Sequence, residues 1–119
     1  MKIRIKGNSI RFRLTQTDMK LLLENGFVQE HTDFGKNMLI YMVKLLKDAE
    51  TLSVSLFDGT ITLIMPETMA KEWSATDRVG YDREEDGLYM LIEKDFQCLD
   101  EVAEDQSDNY PNPLAEKRA

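Results

Sequence analysis

Residues 1–14, MKIRIKGNSIRFRL, decide the fold. Ile3 and Ile5 alternate with Lys2, Arg4 and Lys6; Gly7-Asn8 interrupts; then Ile10, Phe12 and Leu14 alternate with Arg11 and Arg13. Period-two alternation on both sides of a two-residue turn predicts a β-hairpin with one apolar and one wet face. Outward from it, residues 15–26 (TQTDMKLLLENG) predict a helix. Thr15 is placed to cap it, Asp18 holds the capping-box position, and Met19, Leu22 and Leu23 share a face. Gly26 supplies a left-handed stop. Phe27 and Val28 then open an extended segment that turns around Asp33-Phe34-Gly35.

The second half has the same order of parts. Leu52, Val54 and Leu56 alternate with serines, Asp58-Gly59 is a strong hairpin dipeptide, and Ile61, Leu63 and Met65 resume the alternation. Pro66 suits the start of a helix, in which Met69 and Trp73 stand four residues apart. Val79 and Tyr81 extend, an acidic turn runs from Asp82 to Gly87, and LYMLIEKDF reads as a last strand. Sliding the first half forward by 51 residues brings Ile10 onto Ile61, Phe12 onto Leu63, Thr17 onto Thr68 and Val28 onto Val79. That match places residues 37–46 (NMLIYMVKLL), apolar enough for either a strand or a helix, in a strand slot. The expected fold is α+β: about eight mostly antiparallel strands in a sheet or small barrel, two short helices, and a ββαββ internal duplication. Residues 1–99 form the expected domain, with repeats at 1–46 and 52–96, and residues 100–119 an acidic, proline-containing tail.

The 119 residues carry 15 Lys and Arg against 22 Asp and Glu, a net charge of −7. An acidic balance argues against general nucleic-acid binding, which draws on excess Lys and Arg. No run approaches the roughly 18 apolar residues of a membrane span. The N-terminus has no apolar core of a signal peptide, and the single cysteine, Cys98, excludes an internal disulfide. A cytoplasmic location is the expectation.

The stretches MKIRIKGNSIRFRLTQTD, IEKDFQCLDE and DQSDNYPNP resemble a bacterial family of small acidic proteins of unknown function, found in Bacteroidetes and other bacteria. The resemblance covers nearly the whole chain and implies a bacterial, soluble, single-domain protein. It brings no catalytic residue with it.

The charge is polarised. Residues 1–20 hold six basic side chains and one acid, whereas residues 82–109 hold eleven acids against Arg83 and Lys94. Lys2, Arg4, Lys6, Arg11 and Arg13 are placed to share the wet face of the first hairpin. Like charges side by side on neighbouring strands repel, so this stripe calls for counter-charges. The expected binding surface is this stripe, its target an anion or an acidic protein segment. Asp100, Glu101, Glu104, Asp105 and Asp108 of the tail are candidates to lie across it.

Other candidates are weaker. Cys98 with Asp100 and the sole histidine, His31, would make a sparse metal or thiol site; zinc wants several thiolate or imidazole ligands. Carboxylates beside Cys98 disfavour its thiolate, so a small buried residue is the plainer reading. His31 reads as a surface residue and Trp73 as a core anchor. Met38, Met42, Met65, Met69 and Met90 read as filling for an irregular core. The DNYPNP segment (108–113) reads as a stiff, extended piece docking on its own domain through Tyr110. No G-x-G-x-x-G, P-loop, G-x-S-x-G or H-E-x-x-H motif is present, so no cofactor is expected. The leading expectation is a non-catalytic binding or accessory protein. The alternatives are a small metal- or thiol-dependent enzyme using Cys98, and a homodimer joined through residues 37–46.

Overall fold

Three two-residue turns set the strand registers. Gly7 takes a positive φ of 54°, and the Asp58-Gly59 and Asp86-Gly87 pairs take positive φ at both residues, which is the type I′ geometry that matches the twist of a hairpin. Their strands are β1 (Lys2–Lys6) and β2 (Ser9–Leu14), β5 (Ser53–Phe57) and β6 (Thr60–Pro66), and β7 (Gly80–Glu85) and β8 (Leu88–Lys94). A longer turn joins β3 (Phe27–Asp33) to β4 (Met38–Leu46). The computed structural model describes residues 1–96 and 107–113. The tail residues Cys98, Asp100, Glu101, Glu104 and Asp105 therefore lie outside the described residues.

The helix α1 (Gln16–Asn25) begins with the predicted capping box: the Thr15 side chain accepts from the Asp18 amide, and Asp18 accepts from the Thr15 amide. Gly26, at φ 84°, ends it, donating its amide to the Leu22 carbonyl. The second helix, α2 (Glu67–Ala75), starts at Pro66 with no side-chain cap. Each helix contributes two apolar residues to the core, Met19 and Leu22 from α1, Ala70 and Trp73 from α2.

The strands form two four-stranded sheets, ordered β1-β2-β8-β7 and β3-β4-β6-β5. The central pairings, β2 with β8 and β4 with β6, are parallel; the outer four are antiparallel. The first hairpin of each half thus pairs with the second hairpin of the other half. Alternate residues of both sheets, among them Phe12, Leu14 and Ile92 from one and Val43, Leu63 and Met65 from the other, meet in a single buried cluster.

This arrangement corrects several expectations. No barrel closes, because among the described residues β1, β7, β3 and β5 remain sheet edges. Asp82 to Glu85 belong to β7 rather than to a turn; an exposed edge strand tolerates charges, and Asp86-Gly87 alone makes the reversal. The 51-residue offset holds through the first hairpin and helix, as Leu22 and Trp73, both fully buried, illustrate. Beyond the helix the loops differ in length. Val28, paired with Val43, corresponds to Tyr81, paired with Ile92, and not to Val79. Met38 is 47% exposed at the start of β4 and fills no core. The strand β4 is interior to its sheet, with β3 and β6 on its two sides.

Candidate functional site

The register of the first hairpin brings the predicted basic residues together. Lys2 stands opposite Arg13 and Arg4 opposite Arg11, and Lys6 continues the row opposite Ser9. Because alternate residues share a face, all five cations lie on the outer side of the sheet, while Ile3, Ile10, Phe12 and Leu14 turn inward. Continuing across the sheet, Arg13 meets Glu93 of β8, and Leu91 separates Arg11 from Asp82 of β7. The outer face is therefore graded, basic on β1 and β2 and acidic towards β7.

Among the described residues the counter-charges come from Glu93 of β8 and from Asp95 just past it. Glu93 accepts from Arg13 Nε at 3.0 Å and faces Arg11 Nε at 3.6 Å. Asp95, buried just past β8, has Oδ2 3.2 Å from Lys2 Nζ but out of hydrogen-bond alignment. Arg4 and Lys6 have no ion pair with the described residues. With Ser9 and Arg11 they line a shallow cleft of about 170 Å³.

The tail supplies no counter-charge here where it is described. Asp108 accepts from the Thr17 hydroxyl at 2.9 Å and from the Thr17 amide at 3.3 Å, at the start of α1. Hydrogen bonds from Thr15 and Thr17 hold its carboxyl below the ordinary value. The Asp108 carbonyl accepts from the Gln16 amide, and the Asn109 carbonyl from Gln16 Nε2. Tyr110 forms a parallel bridge with Phe96, its amide bonded to the Asp95 carbonyl at 2.9 Å. The DNYPNP segment is thus strapped over the start of α1 and the end of β8.

The model of DUF7009, a family of unknown function, matches residues 1–114. The chain belongs to this family. No curated protein and no solved structure matches it. DUF7009 membership assigns no residue a role, so register and charge carry the functional reading. No helix among the described residues is long and apolar enough to cross a membrane.

Of the weaker candidates Cys98, Asp100 and His31, only His31 is among the described residues. It is exposed on β3, in the sheet that lacks the basic stripe. Among the described residues no three His, Cys, Asp or Glu side chains are placed to hold a metal ion.

One residue escaped the sequence reading. Lys94 ends β8 only 7% exposed, and its Nζ donates to the Thr76 carbonyl at 2.8 Å. The signal was present: the alternation Leu88, Met90, Ile92 continues to Lys94 and puts it on the inward face. Burial lowers the pKa of its ammonium, and the nearby Asp77 carboxylate opposes that shift.

Proposed function

We propose that this is a non-catalytic binding or accessory protein of the bacterial cytoplasm, with the outer face of the first hairpin as its binding surface and an acidic protein segment as its partner. One observation carries the reading. Five cations converge on two adjacent strands; among the described residues Glu93 of β8 and Asp95 just past it answer three of them, and Arg4 and Lys6 stand beside a cleft. Like charges packed on facing strands cost stability, so the fold alone gives no reason to keep them. A flexible acidic segment would relieve that repulsion and gain charge-assisted hydrogen bonds from the two guanidinium groups beside the cleft. The enzyme alternative has no second observation behind it among the described residues.

The test is a titration of the full chain with fluorescein-labelled hexaglutamate, followed by anisotropy at low and at high ionic strength. Saturable binding at low salt is expected, with a loss of affinity as the Debye length falls below about 10 Å. The Arg4→Glu/Lys6→Glu variant should keep its melting temperature and lose binding at least tenfold. Equal binding by that variant, or no binding at low salt, overturns the reading.

A further inference from the structure

The two halves place different residues at one structural position. Leu45 donates its amide to the Gly26 carbonyl at 2.8 Å and pairs with Met65; Lys94 donates its amide to the Val79 carbonyl at 2.9 Å and pairs with Leu14. Leu45 packs partly buried against the core, as the fold requires there. In the other half the same place holds a buried ammonium. An ammonium has three donors, and the Thr76 carbonyl takes one of them. No carboxylate among the described residues lies within ion-pair distance of Lys94 Nζ. A cation held this far from water with its nearest carboxylate, Asp77, beyond ion-pair contact is costly, and a leucine in its place would not be.

What surrounds Lys94 in this half is a cleft of about 330 Å³, lined by Asp77, Lys94, Phe96, Tyr110, Pro111 and Pro113. Phe96 and Tyr110 meet edge to face with ring centres 6.0 Å apart, and Lys94 Nζ lies 5.3 Å from the Tyr110 ring centre. The wall is fixed in place by the Phe96–Tyr110 bridge and by the bonds of Gln16 to Asp108 and Asn109. One cation, one carboxylate, two aromatic rings and two prolines line it, a wall about as polar as it is apolar, with the ammonium placed to orient a ligand. We infer that this cleft binds a small aromatic carboxylate, its carboxylate on the Lys94 ammonium and its ring against Phe96, Tyr110 and the prolines. Asp77 disfavours a second negative charge and so selects a monoanion. The site is separate from the basic hairpin face and does not depend on it.

The full chain is titrated with benzoate, benzyl alcohol and inorganic phosphate, with Tyr110 and Lys94 followed by NMR. Benzoate is expected to shift both residues saturably, with a dissociation constant on the order of 1 mM. Benzyl alcohol and phosphate should bind at least tenfold more weakly. Lys94→Met should lose benzoate binding at least tenfold while melting no lower than the parent chain. Should that variant fail to fold, Asp77→Asn serves instead and should bind benzoate several-fold more tightly. Benzoate bound no better than benzyl alcohol, or binding unchanged in Lys94→Met, or binding unchanged in Asp77→Asn, would overturn the inference.

Discussion

The α-ammonium of Met1 lies 2.8 Å from the Asp18 carboxylate, the same group that closes the capping box of α1. Glu30 of β3 completes the enclosure at 2.7 Å, so hairpin, helix and second sheet meet on one charge. Burial alone would lower the pKa of this amine, but hydrogen bonds and attraction from Asp18 and Glu30 outweigh it and raise it above 8.0. A folded-state pKa raised above the unfolded one gives stability that is fully present below about pH 8 and lost as pH rises through the folded value. The melting temperature is therefore expected to decline above pH 8. Asp18→Asn should cost about 2 kcal/mol at neutral pH and flatten that decline. A pH-independent melt from 7 to 10 would contradict the linkage.

Gly80 opens β7 where it crosses β8. A Cβ at that position would run into the Ile92 carbonyl oxygen and the Glu93 Cα, both backbone atoms that cannot step aside. Gly80→Ala is expected to destabilise the chain by about 3 kcal/mol, read from urea unfolding. A midpoint within error of the parent would show that the two strands separate freely there.

Glu93 is the shared partner of Arg11 and Arg13. Its side chain is 19% exposed against 37% and 38% for the arginines, so the pairs are only partly screened. Glu93→Gln should lower stability by about 1 kcal/mol at low salt. Added salt should restore part of that, because it weakens the repulsion left among the cations. A deficit that is constant from 0.02 to 0.5 M salt would mean that the hydrogen bond, not the charge, matters.

Asp108 fastens the strap to α1 through Thr17. Hydrogen bonds from Thr15 and Thr17 lower its pKa, so its contribution is present above the ordinary carboxylate value and fades as pH falls through the folded one. The group is exposed, and the effect on global stability is correspondingly small. Asp108→Ala should show instead as faster hydrogen exchange at the Gln16 and Tyr110 amides, both bonded across the strap. Unchanged exchange would place the fastening elsewhere in the segment.

Much of this fold is legible in the sequence because hairpin chemistry is local. The dipeptides Gly7-Asn8 and Asp58-Gly59 and the period-two runs beside them name four of the eight strands, and Thr15, Asp18 and Gly26 mark both ends of α1. The parallel pairings are not legible, since nothing in β2 says that its neighbour comes from the end of the chain. The acid-rich run at 82–85 misleads because charge density signals a turn and an exposed edge strand alike. For the candidate site, period two suffices to place Lys2, Arg4, Lys6, Arg11 and Arg13 on one face. Their partners, Glu93 and Asp95, arrive through the long-range pairing. Lys94 shows the converse: its inward position follows from the alternation, but the cleft beside it exists only once Tyr110 is strapped to Phe96.

The exchange of hairpins between the halves has a consequence for the order in which the molecule is made. The first hairpin leaves the ribosome ahead of the other elements of this fold, yet its strand partner lies 80 residues downstream, the separation of Arg13 and Glu93. Until β8 emerges, β2 has an open edge. The β4–β6 sheet, whose strands are close in sequence, is complete much sooner. The protein is thus expected to wait with one sheet assembled and its most basic segment unpaired. The slow step is the return of the last hairpin to the first, as expected where distant contacts close a fold.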